Sequence, residues 1–209
     1  MPRVSGQIDQ GKSEAILDAA ADVLSEHGLG ASIAAIASRA GVSKQTIYNQ
    51  FGSKTDLIHA LVARRAASIT APLTVPGAAE HPEETLTNLA RTLIGIVTNT
   101  RAYALMRVTV QGAGAMPELA RAVFEAGPNT TRARLSEYLA AETRAGRLDV
   151  DDPVEAAELF GGMCAGHRQI RALLGLNRGE DEAEIDRLAR SISKRFLRAY
   201  APTPDYKKA

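Results

Sequence analysis

The stretch IAAIASRAGVSKQTIYNQFGSK, Ile33 to Lys54, constrains the fold more than any other part of the chain. An apolar helical pattern breaks at Gly41, restarts as a short polar segment after Ser43, and stops again at Gly52. Gly41 follows Ala37 by four residues and Ile47 follows Gly41 by six. Those positions supply a small residue where two helices cross, a glycine in the turn and an apolar anchor on the second helix, which is helix-turn-helix spacing. Glycine suits the turn because it takes a left-handed backbone without the clash a Cβ brings.

Helices this short are marginal alone in water, because nucleation costs more than a few hydrogen bonds return. They must share a core, for which Ile16, Ala20, Val23, Leu24, Ile33, Ile36, Ala37, Val42, Ile47 and Phe51 are the candidates. Ser32, Ser43 and Ser53 stand where side chains cap helix N-termini, and Asp56 lies at the capping-box spacing from Ser53.

Turning Val42 and Ile47 inward leaves Lys44, Gln45, Thr46, Tyr48 and Asn49 outward or at the edge. Gln45 can donate and accept against base edges, and Thr46 offers a hydroxyl and a methyl group. Lys44, Tyr48 and Lys54 suit phosphate oxygens, which set position rather than sequence preference. Helix starts such as the one at Ser32 add free amides for phosphate; with Ser43 and Asn49 this completes the expected DNA-facing set. Plain alternatives stand beside these roles: Tyr48 packing on the next helix, and Lys54 as a solvated charge. Between Gly28 and Thr55 the charged residues are Arg39, Lys44 and Lys54, with no acid among them.

The whole chain has 209 residues and a formal net charge of +1, without the excess expected of a protein that coats nucleic acid indiscriminately. Aromatic residues make up 4% and tryptophan is absent, so Leu, Ile, Val and Ala must build the core. One cysteine, Cys164, excludes an internal disulfide and any cysteine-based metal spacing. The absence of a long apolar run and of a secretory signature leads to the expectation of a cytoplasmic protein without membrane contact.

Helical patterns run through the rest of the chain, and the expected class is all-α. The pattern from Lys12 carries a helix-turn-helix domain over residues 12–56, followed by a larger helical domain over 57–201, with a flexible arm at 1–11 and a polar tail at 202–209. The segment TAPLTVPGAAEHP, Thr70 to Pro82, holds three prolines and a glycine; it reads as a boundary or as a loop inside the larger domain. Later patterns cover Glu83 to Val110, Pro117 to Glu125, Asn129 to Ala145, Pro153 to Leu174 and Glu182 to Tyr200.

Residues Lys12 to Leu61, and IASRAGVSKQTIYNQFGSK within them, closely resemble the N-terminal domain of the TetR/AcrR family of transcriptional regulators. The stretch from PELARAVFEAGPNTTRARLSEYL to FGGM, with the later RALLGL, more loosely resembles the C-terminal domain of the AefR-like subgroup. The resemblance implies a homodimeric repressor whose second motif helix enters the major groove of a palindromic double-stranded operator. It also implies a C-terminal domain that dimerises and binds a small effector, without cofactor. An activator or a ligand-independent DNA-binding protein of the same fold is the alternative. Gln45, standing where the family often has glycine or alanine, bears on which operator is read.

In the last helical pattern Ile185, Leu188, Ile192 and Phe196 share a stripe, and the pattern before it concentrates Gly161, Gly162, Ala165 and Gly166. Each mid-helix glycine costs about 1 kcal/mol against alanine. Close approach of a partner helix would recover that cost, making both patterns the expected dimer interface; room for a ligand is the competing reading. Tyr103, Met106, Val110, Met116, Phe124, Phe160 and Met163 are the larger or softer apolar residues of the middle region, and with His167 they form the expected effector set. Each could equally fill the core. Catalysis is not expected, since the four histidines lie in separate elements. Cys164 and His167, three apart, are a remote nucleophile and base without an orienting group or oxyanion site.

Overall fold

The computed structural model describes residues 10–176 and 179–202, and among them the regular structure is entirely helical. The helices are α1 (Gln10–His27), α2 (Ile33–Ala40), α3 (Lys44–Phe51), α4 (Lys54–Thr70), α5 (Pro82–Thr98), α6 (Thr100–Gly112), α7 (Pro117–Phe124), α8 (Thr130–Arg144), α9 (Pro153–Leu173) and α10 (Glu182–Ala199). Of the arm expected over 1–11, only Gln10 and Gly11 are among the described residues, in the first turn of α1; of the tail expected over 202–209, only Pro202 is. Two compact units divide the chain. One comprises the chain up to Arg64 and Ala104–Ala126; the other comprises Arg65–Tyr103 and the chain from Gly127.

The first unit is organised by α1. Ile16, Ala20, Val23 and Leu24 are buried against Ile33, Ile36, Ala37 and Ile47, while Val42 and Phe51 pack partly buried against them. Leu57, Ile58 and Leu61 of α4 join this core, as do Leu119, Val123 and Ala126 from the α7 region. The outer edge of α1 carries Glu14, Asp18, Asp22 and Glu26 at four-residue spacing. Arg64 of α4 pairs with Glu14 at 2.6 Å and Asp18 at 2.8 Å, and Arg39 of α2 pairs with Glu26 at 2.9 Å and Asp22 at 3.6 Å. Two arginines thus pin neighbouring helices to successive turns of α1.

The second unit buries Leu86, Leu89 and Ile94 of α5, Leu135 and Leu139 of α8, Phe160 of α9 and Phe196 of α10 in one core. The rings of Phe160 and Phe196 meet edge to face at 5.1 Å between centroids, the arrangement the aromatic quadrupole favours. The proline-rich segment Thr70 to Pro82 lies inside this unit as a loop. Its Ala78 is buried, and the Ala78 carbonyl accepts from the Tyr138 hydroxyl at 2.9 Å and from Thr85 Oγ1 at 3.0 Å. At the end of α8, the buried Glu142 carboxylate takes a bidentate pair from Arg147, at 2.7 and 2.9 Å.

Two features depart from uninterrupted periodicity. The pattern from Glu83 to Val110 is divided at Asn99, whose backbone is extended and whose side chain accepts from Ala102 N–H at 2.8 Å. A side-chain acceptor there caps a new helix and so competes with continuation of the old one. The second departure is in α9, where Gly166 has φ 46° and ψ −142° and breaks the helix into two runs. A Cβ on Gly166 would meet nothing within 4 Å, so backbone conformation, not packing inside the chain, selects glycine there.

Candidate nucleic-acid interface

The turn between α2 and α3 is built as its spacing requires. Gly41 adopts φ 66° and ψ 29°, and its N–H reaches the Ala37 and Ser38 carbonyls. The Val42 N–H then bonds Ala37 O at 3.0 Å, so the last turn of α2 is closed by the residues that redirect the chain. Beyond it, Ser43 caps α3: its Oγ accepts from Thr46 N–H at 3.0 Å and lies 2.9 Å from Thr46 Oγ1. Ser32 caps α2 in the same manner, accepting from Ala35 N–H at 3.1 Å. Ile47 is 1% exposed and anchors α3 in the core.

That anchoring decides what faces outward. Lys44, Gln45, Tyr48 and Asn49 are exposed, and Thr46 is half-buried. Tyr48 keeps 46% of its surface open, although aromatic side chains are usually well covered. Gln45 and Asn49, one helical turn apart, are joined by a bond from Gln45 Nε2 to Asn49 Oδ1 at 2.7 Å. The entry to α4 is held by Ser53, which accepts from Asp56 N–H at 3.1 Å and donates to the Asp56 carboxylate at 2.6 Å. Lys54 beside it is half-buried, and burial lowers its pKa from the usual lysine value. Arg39 is a charge whose engagement the sequence did not reveal. Its hydrogen bond to Glu26, and then the charge of Glu26, raise its pKa. Of the three cations of this window, Arg39 is held by the acids of α1 and Lys44 is exposed on α3.

The expected effector residues fall in two different units. Tyr103 and Phe160 are buried in the second unit, Phe160 completely, and Met163 and His167 are exposed there. Met106 packs half-buried on the core of the first unit, whereas Val110, Met116 and Phe124 are exposed. A cavity of about 750 Å³ lies in the second unit, walled by Glu80, Arg91, Arg147 and Arg190 among others, and none of the expected apolar residues lines it. Cys164 is buried and His167 exposed, and burial pushes the thiol up to about 12. An activated nucleophile needs the opposite shift.

The expected dimer residues also divide. Ile192 and Phe196 are buried in the second unit's own core, and Ile185 and Leu188 pack partly buried against it. Ile192 and Phe196 of the α10 stripe therefore pack on the core formed with α5 and α9 of the same chain, while Ile185 and Leu188 keep part of their surface open. In α9, Gly162 and Gly166 are exposed, and Gly161 and Ala165 half-buried. Alongside them α9 and its C-cap expose Leu159, Met163, Ile170 and Leu174 at 52%, 38%, 56% and 66%. Leu159 and Met163 precede the break at Gly166 and Ile170 and Leu174 follow it; of these, sequence reading singled out only Met163, as an effector residue.

Comparison with known proteins agrees with the helix-turn-helix geometry. Residues 16–61 match the bacterial regulatory proteins of the tetR family, and residues 84–202 match the AefR-like transcriptional repressor C-terminal domain. The chain belongs to the TetR family. A TetR-family regulator from Mesorhizobium loti superposes with a TM-score of 0.77 at 28% identity, covering 94% of this chain and 100% of that one. The flavonoid-responsive regulator FrrA is 33% identical with a TM-score of 0.67, covering 92% and 98% of the two chains. A TetR regulator from Agrobacterium tumefaciens gives a TM-score of 0.74 at 25% identity over 91% and 95%. No curated protein sequence matches the chain. As a TetR-family member it is a DNA-binding transcriptional regulator, and among the described residues no cluster of metal-ligating side chains occurs. No described helix is long and apolar enough to cross a membrane.

Proposed function

We propose that this TetR-family protein is a dimeric repressor that places α3 in the major groove of a two-fold operator and is released by a small, largely apolar effector. The observation carrying the reading is the presentation of α3: Ile47 is buried, whereas Lys44, Gln45, Tyr48 and Asn49 are exposed on a helix capped by Ser43. Gln45 faces bases with Asn49 beside it, Lys44 and Tyr48 face phosphates, and the amides at Ser32 and Ser43 lie at capped helix starts. Lys54 adds a phosphate contact from the start of α4.

One α3 offers a small contact area, so two half-sites read by a dimer are the physical route to useful specificity. The exposed apolar residues on both sides of the α9 break support a partner surface there, with Gly162 and Gly166 allowing close approach. FrrA, a relative at 33% identity, is described as flavonoid-responsive; this supports a planar aromatic effector as the first chemistry to screen. An effector releases DNA only if it binds the non-binding state more tightly than the binding one.

The test is selection of duplexes from a random library, followed by anisotropy titration with and without a flavonoid panel. A two-fold motif released by an effector is the expected result. Protein that enriches no duplex refutes the reading. Ile170→Glu, at an exposed position of α9, should give monomers by sedimentation with helicity retained; an unchanged dimer would exclude the part of α9 after Gly166 from the interface.

A further inference from the structure

Among the polar side chains of α3, the hydroxyls of Ser43 and Thr46 are engaged with each other and with the helix start. The amides of Gln45 and Asn49 are engaged with each other, in the open, on the face opposite the Ile47 anchor. We propose that Gln45 and Asn49 act as one recognition unit for adenine, in which Gln45 reads the base and Asn49 is the positioning residue that holds the Gln45 amide in its reading orientation.

This rests on the DNA-binding reading above and adds which base is read and how. A primary carboxamide has two N–H groups. Adenine in the major groove offers N7 as acceptor and N6–H as donor, which a carboxamide matches with its oxygen and one N–H. Gln45 Nε2 donates to Asn49 Oδ1 at 2.7 Å. Donation through the N–H remote from its own oxygen leaves the oxygen and the other N–H side by side, the edge that adenine requires.

An unpaired glutamine on a solvent-facing helix samples many rotamers and must lose that freedom when it binds. Pairing across one helical turn removes part of that loss beforehand. Guanine presents acceptors at both N7 and O6, so the oriented Gln45 oxygen would face another acceptor and the wrong base is rejected. A plain surface pair would stabilise α3 without affecting which base is chosen, and this difference makes the proposal testable.

The experiment is duplex selection with wild type, Gln45→Ala, Asn49→Ala, the double variant and Asn49→Asp, reading the adenine preference at each half-site position. Circular dichroism confirms the fold of each variant; all substitutions are at exposed positions. Wild type should prefer adenine at one half-site position by roughly tenfold to a hundredfold. Gln45→Ala should abolish that preference at that position. Asn49→Ala should reduce it several-fold, and the double variant should look like Gln45→Ala alone. Asn49→Asp keeps the acceptor for Gln45 Nε2: its charge lowers affinity for every duplex, but the adenine preference should persist. The proposal is overturned if Asn49→Ala leaves the preference intact, if Gln45→Ala changes a position that does not carry adenine, or if Asn49→Asp loses the preference as fully as Asn49→Ala. A wild type that binds selected duplexes while Gln45→Ala changes none of them overturns it too, leaving the DNA-binding reading standing. A wild type that enriches nothing removes both.

Discussion

Gly162 and Gly166 form a matched pair for testing the break in α9. Both are exposed, both lie in the same helix, and a Cβ on either would meet nothing within 4 Å. They differ in backbone: Gly162 is helical, whereas Gly166 has φ 46° and ψ −142°. Alanine at either position restricts the unfolded chain equally, a gain of about 0.4–1 kcal/mol. Only at Gly166 does it also strain the folded state, by about 1–3 kcal/mol for a non-glycine residue in such a region. The unfolded-state contribution cancels in the comparison, so Gly162→Ala should exceed Gly166→Ala in stability by about 1–3 kcal/mol. For a chain of this size that is a separation of roughly 2–12 °C in Tm. Urea and thermal unfolding followed by circular dichroism would measure it. Two protein concentrations a hundredfold apart are needed, because a methyl group meeting a partner chain would make the effect concentration-dependent. Equal stabilities at both concentrations would refute the argument, since they would mean that the broken backbone at Gly166 carries no strain for alanine.

Ile47→Ala should destabilise the first unit by about 2–5 kcal/mol, because the side chain is 1% exposed and its loss leaves a cavity; loss of DNA affinity should follow the unfolded fraction at each temperature. Cys164, its thiol pushed up to about 12 by burial, should resist iodoacetamide at pH 8 in the folded protein and react fully in urea; fast native alkylation would contradict the burial. Asp186 receives hydrogen bonds from Arg91 and Arg190, which hold its carboxyl below the usual aspartate value. A depressed folded pKa stabilises above about pH 4 and loses that contribution as pH falls through the folded value. Asp186→Asn should therefore lower the urea midpoint at pH 7 and flatten its decline toward pH 2, and an unchanged acid slope would count against the pairing.

Features set by neighbouring residues were legible in the sequence. The Ala37–Gly41–Ile47 spacing, the serine caps and the apolar period of α1 each act over a few residues, so the helix-turn-helix and its outward face could be read directly. The family resemblance then extended the reading to a regulator with a larger helical domain. Even the Asn99 break had a local signal, because an asparagine that can cap Ala102 stands where the long pattern divides.

Tertiary structure decided which partner each apolar face meets. The stripe of Ile185, Ile192 and Phe196 has the same periodicity whether it faces a second chain or its own, and only the folded unit shows Phe196 against Phe160 and Ile192 buried beside it. Leu159, Met163, Ile170 and Leu174 have no sequence signature distinguishing them from core residues, yet all four are exposed. Arg39 reads as one of three cations in an acid-free window until α1 brings Glu26 and Asp22 against it. Chain connectivity likewise gives no hint that Leu119 and Val123 join the core built by α1. Periodicity states that a helix has an apolar face, and capping states where the helix begins. Which face is buried against which neighbour depends on contacts between residues far apart in sequence, where the gain from burial is shared by the whole unit and belongs to no local pattern.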